Sequence, residues 1–285
     1  MKLTFLGTAA SEGYPDAFCG CANCERARDL GGPNLRMRSA AILDGVLLLD
    51  LGPDVMAASL MRGVSLASVR WCLVTHEHAD HLDASHLSSR SPACGVVDAP
   101  RLELVASPGA LRRAACALIP HLPPEGLLHP EAQARLNLLV TPIAAGQTLC
   151  AGPYRVTAIP ATHGGDQMSA LLYAIERDGR SLFYATDTGP LPEDAWDGLR
   201  DWGGRFDTVV LDHTFGRAGR ATTHLNADQF VETVDRLRDE GRLAAGCRVF
   251  AHHLGHHSNP DHDTLVAYAA GRGYEVAYDG LTVAV

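Results

Sequence analysis

His76-Glu77-His78-Ala79-Asp80-His81 is the stretch from which the fold of this 285-residue chain is best inferred. It follows the apolar segment 71–75, which predicts a short buried strand. A turn after that strand can direct His76 and His78 to one point, while Asp80 and His81, at the predicted start of a helix, face a neighbouring point. One loop therefore offers ligands for two adjacent cations, and a pair of metals about 3.5–4 Å apart suits hydrolysis.

Further potential ligands follow other predicted strands. His163, Asp187 and His253 come at or just after the ends of three apolar segments, which are residues 154–160, 181–187 and 248–251. Strands that end at one edge of a sheet bring such side chains together. We therefore expect these three residues to complete the shells of the two cations.

The order of elements predicts an α/β fold class. Strands dominate both halves of the chain and helices lie between them, which fits helices packed outside two central sheets. We expect one domain over residues 1–285. Helices are predicted at 53–63, 227–240 and 263–271.

Two segments need separate description. Residues 83–130 have a less regular pattern, with seven prolines between short strand and helix candidates. They have two interpretations, which are an inserted region that shapes a substrate pocket and ordinary connecting structure. Residues 274–285 are predicted to form a terminal hairpin around Asp279-Gly280, a dipeptide typical of tight hairpin turns.

The charge balance argues against a nucleic-acid partner. The chain has 33 acidic and 24 basic side chains, with a formal net charge of -9, whereas a nucleic-acid surface needs clustered Lys and Arg. A small anionic substrate is still compatible, because metal charge can outweigh the global field locally. The 14 His side chains, several in tight clusters, favour metal binding, since neutral imidazole is the commonest metal ligand.

The composition also predicts a cytoplasmic protein. No apolar stretch approaches the roughly 18 residues of a membrane span, so we expect no membrane association. The apolar N-terminus is short and interrupted by Gly7, which favours a first strand over a signal peptide. Five of the eight cysteines are scattered, which predicts small buried hydrophobic side chains in a reducing compartment.

The remaining three cysteines lie together at Cys19, Cys21 and Cys24. Three thiolates this close predict a structural zinc site, which needs a fourth ligand from elsewhere in the chain. His256 is the favoured candidate, three residues after His253, and it would tie the N-terminal loop to the loop that carries an active-site ligand. By residue type alone, His252 and His257 are equally available to the two sites.

These motifs resemble the metallo-β-lactamase superfamily over nearly the whole chain, which implies an αββα four-layer sandwich. The resemblance implies that His76, His78 and His163 bind a first metal, while Asp80, His81 and His253 bind a second. Asp187 would bridge the two metals and a bridging hydroxide would be the nucleophile. Asp80 is also expected to take part in catalysis, and Asp50, at the end of a strand, would orient a ligand.

The Cys-x-Cys-x-x-Cys loop resembles that of the phosphoribosyl cyclic phosphate phosphodiesterase branch, which pairs it with a His-x-x-His segment. That resemblance selects His253 and His256, leaving His252 and His257 at the surface or behind the ligands. The pyrroloquinoline-quinone biosynthesis B group has a related loop but lacks most of the His cluster. The intact cluster here favours the hydrolytic branch. The active-site ligands suit Zn, Mn or Fe.

A proton donor is expected at His224, in a loop before a helix. The motif Thr222-Thr223-His224 resembles one in the phosphodiesterase and tRNA 3′-processing branches, where the His is the proposed general acid. Asp212, at the end of the preceding strand, could keep His224 protonated. His213 is a lower-ranked alternative, and His262 is expected to face solvent near a helix start.

The resemblance implies a dinuclear phosphodiesterase acting on a small cyclic or diester phosphate, and related enzymes are often homodimers. Two alternatives remain open at this stage. One is hydrolysis of a lactone, thioester or other ester on the same fold. The other is an Fe-dependent, oxygen-using biosynthetic protein related to the pyrroloquinoline-quinone biosynthesis B group.

Overall fold

The computed structural model describes residues 1–118, 122–123, 126–165 and 168–285. Within these residues it contains eight α-helices and fourteen β-strands. The strands are β1 (Lys2–Gly7), β2 (Ala40–Leu43), β3 (Leu47–Leu49), β4 (Trp71–Leu73), β5 (Leu102–Ala106), β6 (Leu138–Pro142), β7 (Thr148–Ala151), β8 (Tyr154–Pro160), β9 (Leu171–Arg177), β10 (Arg180–Ala185), β11 (Phe206–Asp212), β12 (Leu243–His252), β13 (Glu275–Val276) and β14 (Thr282–Ala284). The helices are α1 (Ala22–Leu30), α2 (Val55–Arg62), α3 (Ser85–Ser89), α4 (Pro108–Ala117), α5 (Pro130–Leu136), α6 (Glu193–Trp202), α7 (Ala227–Asp239) and α8 (His262–Ala270).

The described strands form two seven-stranded sheets. The first has the order β14-β1-β2-β3-β4-β5-β6 and the second has the order β13-β12-β11-β10-β9-β8-β7. Strands β3 to β6 run parallel in the first sheet, as do β10 to β13 in the second. Parallel neighbours need crossover connections, and the helices that follow these strands in the chain supply them.

Apolar side chains form three layers. The middle layer joins the sheets through Phe5 and Leu49 on one side and Tyr173 and Phe250 on the other. The outer two layers lie between each sheet and its helices. Because the parallel strands are buried on both faces, they have nearly continuous apolar sequences. The predicted αββα four-layer sandwich of the α/β class is confirmed.

Residues 83–130 contribute to the first sheet and its helix layer. Strand β5 lies between β4 and β6, and Leu111 and Ala114 of α4 are buried in the outer apolar layer. Residues 102–117 are therefore an integral part of the fold. Residues 119–121, 124 and 125 lie outside the described residues, and a role of this segment in shaping a substrate pocket stays a prediction.

The prediction that a helix starts at Asp80 is wrong. After His78 the chain makes a tight turn, in which the Leu82 amide donates to the His78 carbonyl over 2.9 Å. Leu82 then forms a parallel bridge with Leu51. Because this extended pairing competes with helix formation, the next helix begins only at Ser85.

The predicted C-terminal hairpin is also wrong. Strand β13 pairs with β12 in the second sheet, whereas β14 pairs with β1 in the first. The turn between them crosses from one sheet to the other. Asp279 is buried there and accepts hydrogen bonds from the Thr8 hydroxyl and the Met37 amide, both over 2.7 Å. These tertiary contacts replace the local pairing that the dipeptide predicts.

The scattered cysteines are less buried than predicted. Cys72 is fully buried, Cys247 is half-buried, and the others are exposed, namely Cys94, Cys116 and Cys150. The prediction of a buried hydrophobic side chain is therefore confirmed for Cys72 and wrong for Cys94, Cys116 and Cys150. Among the described residues, no helix is both long and apolar enough to cross a membrane.

The carboxyl ends of several strands meet at one edge of the sandwich. In an α/β fold, this edge is the common place for a ligand site. The predicted site residues lie at or just after the ends of β3, β4, β8, β10, β11 and β12, and they are Asp50, His76, His163, Asp187, Asp212 and His253. Because these strand ends converge, residues that are up to about 200 positions apart in the chain lie together at this edge.

Gly52 lets the loop that carries Asp80 pass close to the end of β3. A Cβ atom on Gly52 would lie 1.9 Å from the Asp80 carbonyl oxygen. We expect Gly52→Ala to displace this loop, to lower the free energy of unfolding by about 1–3 kcal/mol and to reduce metal binding. Denaturant titration and metal analysis would measure both effects. Gly219→Ala is the matched control, because no described atom lies within 4 Å of its Cβ position, and equal losses in both variants would contradict the prediction.

Candidate metal centre

The first ligand set consists of His76, His78, His163 and Asp187, whose ligand atoms all lie within 4.8 Å of one another. His78 Nδ1 is 2.9 Å from His76 Nε2 and 3.0 Å from His163 Nε2. Asp187 Oδ2 is 3.2 Å from His76 Nε2. Ligand atoms at a usual zinc–nitrogen distance in a tetrahedron are about 3.3 Å apart. The set therefore fits one cation with small adjustments.

The second ligand set consists of Asp80, His81, His253 and, again, Asp187. His81 Nε2 is 3.0 Å from Asp187 Oδ2, 3.2 Å from Asp80 Oδ2 and 3.3 Å from His253 Nε2. His253 Nε2 is 3.7 Å from Asp80 Oδ2. All four residues are buried. Asp80 lies among the ligands, and its separate catalytic role stays a prediction.

Asp187 belongs to both sets and is the residue on which the pairing depends. Its Oδ1 atom is buried and accepts no hydrogen bond from the described residues. Burial alone would raise the pKa of Asp187, but His253 and His76 hold it well below its usual value. A buried, ionised carboxylate with an unsatisfied oxygen among converging imidazoles is costly without a cation. The donor set therefore fits a pair of divalent metals.

Three residues of this site have a left-handed backbone. Asp50, Asp187 and His253 have φ angles of 65°, 62° and 58°, in the left-handed region that non-glycine residues rarely adopt. The other described non-glycine residues in this region are Asp or Asn, which tolerate it best. Strain of this kind persists where the surroundings hold it, and it is typical of functional sites.

Hydrogen bonds behind the ligands hold the imidazoles in place. Asp50 Oδ2 is 2.8 Å from His81 Nδ1, and Asp50 Oδ1 accepts from the amide and hydroxyl of Thr75. The Thr75 hydroxyl is 3.0 Å from His76 Nδ1. In the same way, Thr214 Oγ1 contacts the Nδ1 atom of His253 at a distance of 2.7 Å. Such contacts set the tautomer and orientation of a ligating His.

Sequence reasoning included Asp50 in this outer layer but missed Thr75 and Thr214. A threonine next to a metal ligand is common in strands for reasons of propensity alone. Only the hydrogen bonds in the folded structure distinguish these two threonines from the others. The one signal for Thr75 in the sequence is that it directly precedes the predicted ligand His76.

His224 lies beside the two ligand sets and is bonded to Asp212. His224 Nδ1 is 2.9 Å from Asp212 Oδ2 and 3.2 Å from Asp187 Oδ1. Burial lowers the pKa of His224, but Asp212 and Asp187 outweigh burial and raise it to about 9. Bound cations would oppose this rise, since nearby positive charge disfavours the imidazolium. The arrangement nevertheless favours a protonated imidazole close to Asp187.

Asp212 acts as a hydrogen-bond acceptor. Together with Asp187, His224 and His253 it forms a further group of potential ligand atoms. However, Asp212 Oδ1 already accepts from the amides of Thr214 and Leu225, over 3.0 and 3.1 Å. Oδ2 accepts from the Thr214 hydroxyl over 2.9 Å. With these donors in place, Asp212 is better suited to orienting His224 than to binding a cation.

The three clustered cysteines converge with His256, as the spacing predicts. Their ligand atoms and that of His256 all lie within 4.8 Å of one another. Hydrogen bonds from the Cys24 amide and from His256 lower the pKa of Cys21 to about 6, whereas burial raises that of Cys24 to about 12. A coordinated thiol is deprotonated by the metal itself, so both thiols are compatible with zinc.

The cysteine cluster is tied to the active-site ligands through one turn. Asn23 Nδ2 donates to the His256 carbonyl over 2.8 Å. Leu254, which lies between His253 and His256, donates its amide to the Thr8 carbonyl over 2.9 Å. The N-terminal loop therefore holds the turn that carries His253, in line with the predicted connection between the two sites.

The other histidines divide into buried and exposed positions. His257 is exposed, whereas His252 is fully buried, so of the two positions predicted for His252 only the one behind the ligands fits the structure. Burial lowers the pKa of His252 to about 3. His213 is also buried, with Nδ1 bonded to Asn259 and Nε2 bonded to Tyr274, which leaves neither nitrogen available for proton donation. His262 is half-buried rather than solvent-facing and contacts Arg36.

Several solved structures share this fold. A diphosphatase of the PhnP family superposes with a TM-score of 0.72 at 20% identity, covering 100% of this chain and 97% of the other. The Zn²⁺-bound PqqB of Methylobacterium extorquens gives 0.74 at 20% identity, with 100% of both chains covered. The short form of human tRNase Z gives 0.63 at 16% identity, covering 100% of this chain and 99% of that one.

Sequence comparison gives relatives and a family. Coenzyme PQQ synthesis protein B of Klebsiella pneumoniae strain 342 is 25% identical over 241 residues, which cover 75% of this chain and 72% of that protein. The same protein of K. pneumoniae strain ATCC 700721 / MGH 78578 is 27% identical over 239 residues, with the same coverage. A family model described as a β-lactamase superfamily domain matches residues 46–253, well over half of the chain. The protein therefore belongs to this superfamily and has the metallo-β-lactamase fold.

Proposed function

We propose that this protein is a dinuclear metal-dependent phosphodiesterase that hydrolyses a small cyclic or diester phosphate. The observation that carries the proposal is the His224–Asp212 pair, whose 2.9 Å contact lies beside two ligand sets joined by Asp187. Two cations alone suit many hydrolytic reactions. A protonated imidazole at the same point adds what a phosphodiester needs, because its alkoxide leaving group is strongly basic.

The ligands of the two cations follow from the contacts. His76, His78 and His163 would hold one cation, Asp80, His81 and His253 would hold the other, and Asp187 would be shared. When bound, Zn or Mn would supply positive charge that stabilises the phosphoryl oxygens and promotes ionisation of a water nucleophile. The clustered cysteines and His256 would hold a structural Zn.

The residues of the chain divide the remaining work. As an imidazolium, His224 has two N–H groups, and Asp212 accepts from the one at Nδ1. The proton at Nε2 is then the one available to the leaving alkoxide. Asp212 keeps the ring oriented and favours its charged form, in the manner of a general acid held by a carboxylate. The oxygen of the water nucleophile would form the new bond to phosphorus, and the bond between phosphorus and the leaving oxygen would break as the Nε2 proton is transferred to that leaving oxygen.

A second candidate function rests on the similarity to Coenzyme PQQ synthesis protein B. In that case the protein would be an Fe-dependent, oxygen-using biosynthetic protein rather than a hydrolase. Metal analysis of protein produced without added metal, together with an oxygen-consumption assay, separates the two. Iron as the resident metal with oxygen uptake would favour this candidate.

The proposed function is tested by a metal-dependent assay. Protein stripped by a chelator and then loaded with Zn or Mn is offered bis(4-nitrophenyl) phosphate, a ribose cyclic phosphate, a lactone and a thioester. We expect metal-restored hydrolysis of the two phosphates, at rates well above those for the esters. Metal-loaded protein that hydrolyses only the lactone or thioester, or no phosphate at all, would overturn the proposal.

A further inference from the structure

His252 is a fully buried imidazole at the edge where both sheets face the candidate metal centre. Its Nε2 atom is 3.0 Å from the Gly7 carbonyl oxygen, at the end of β1. Its Nδ1 atom is 3.0 Å from Thr186 Oγ1, just after β10, and 3.3 Å from Ser39 Oγ, just before β2. One ring therefore joins segments from two strands of the first sheet to two of the second.

The partners determine the tautomer of His252. A carbonyl oxygen only accepts hydrogen bonds, so Nε2 must carry the proton that it donates to Gly7. In the neutral ring, Nδ1 then accepts from the hydroxyl of Thr186 or Ser39. Both ring nitrogens have hydrogen-bond partners in the interior, so the ring acts as a fixed spacer between the segments that it contacts. Burying such a ring without these partners would cost free energy.

His252 and its partner Thr186 are direct chain neighbours of two proposed ligands. Thr186 precedes Asp187, and His252 itself precedes His253. Asp187 and His253 both have the left-handed backbone described above, with φ angles of 62° and 58°. A strained backbone needs anchors on its flanking residues. The hydrogen bond between Thr186 and His252 provides one anchor that serves both ligands.

We propose that His252 is a positioning residue of the metal centre. By holding Gly7 and Thr186, its ring sets the distance between the loops that carry Asp187 and His253, and thereby the geometry of the second ligand set. The inference rests on the proposed metal ligands but not on the substrate. Its readout is metal binding, which is measured independently of any hydrolytic activity.

The test uses His252→Leu together with two variants that each retain part of the hydrogen bonding. His252→Gln keeps a donor for the Gly7 carbonyl, and His252→Asn keeps an acceptor near the Nδ1 position. We expect His252→Leu to weaken the more weakly held active-site metal about tenfold or more, since outer-layer contacts typically contribute 10–100-fold to metal affinity. The Gln and Asn variants should lose less. Competitive chelator titration of the full-length protein, followed by metal counting, gives the affinities.

His213→Leu is the matched control. His213 is also fully buried and makes two hydrogen bonds, but these join Asn259 and Tyr274 in the interior. We expect both leucine variants to lower the melting temperature, while only His252→Leu loses metal affinity. Wild-type affinity in folded His252→Leu, or equal metal loss in His213→Leu, would overturn the inference. The phosphodiesterase proposal would be untouched by either result, because it fails only if metal-loaded wild-type protein does not hydrolyse the phosphates.

Discussion

Asp187→Asn should abolish tight binding of both proposed active-site metals and reduce metal-dependent hydrolysis by roughly 10³-fold or more, because Asp187 belongs to both ligand sets and the metals would stabilise the charge of the transition state and supply the nucleophile. Asn has nearly the same shape and tolerates the left-handed backbone well, so the 62° φ angle of Asp187 is retained. The substitution therefore removes the charge and one ligand oxygen without new strain. Metal counting after gel filtration, together with turnover in excess Zn or Mn, measures the effect.

Asp178→Asn is the control for this prediction. Asp178 has a similar φ angle of 52° but is exposed in the turn between β9 and β10, where its carboxylate contacts only Arg177 among the described residues. We expect normal metal content and activity in this variant. Full metal occupancy in Asp187→Asn would show that Asp187 does not bridge the two cations, and the proposed centre would have to be abandoned.

The second prediction concerns the leaving group. His224→Ala should slow hydrolysis of a diester with an alkyl leaving group by about 10²–10⁴-fold, the usual contribution of a general acid. The same variant should slow hydrolysis of a 4-nitrophenyl diester much less, because nitrophenolate leaves without needing a proton. Both ligand sets remain intact in this variant, so its metal content should equal that of the wild type. The ratio of the two losses is the quantity to measure.

His257→Ala provides a matched control in the same region. His257 is exposed, and its ring centroid is 5.7 Å from that of Phe215, which also contacts His224. We expect near-wild-type turnover of both substrates in this variant. If His224→Ala loses the same factor on alkyl and nitrophenyl diesters, then His224 does not protonate the leaving group and its role would be limited to shaping the site.

Much of the candidate site follows from local sequence patterns. The His76–His81 cluster directly follows a buried strand, and Cys19, Cys21 and Cys24 lie within one loop. Spacing of this kind has direct chemical meaning because adjacent ligands share one turn. Burial of both sheet faces also leaves continuous apolar runs, so the strands could be predicted without coordinates. The four-layer arrangement was expected from the order of elements and from the resemblance to the superfamily.

The predictions that failed depended on competition between local and distant partners. The sequence after Asp80 is compatible with either a tight turn or the start of a helix. The pairing of Leu82 with Leu51 selects the turn. The dipeptide Asp279-Gly280 favours a hairpin, but β13 and β14 belong to different sheets. In each case a tertiary hydrogen bond outweighs a local propensity, which amounts to about 1 kcal/mol or less per residue in helices and strands.

The sequence by itself determined which residue types can bind metals in this protein, because His, Asp and Cys are clustered at the spacing typical of metal ligands. The tertiary structure decided which of them lie close enough to share a cation, since His163, Asp187 and His253 meet only when the strand ends converge. It also decided the different surroundings of His252 and His253. His252 is the last residue of β12, whereas the chain turns into a left-handed backbone at His253, and so one imidazole joins the two sheets while its neighbour lies among the candidate metal ligands.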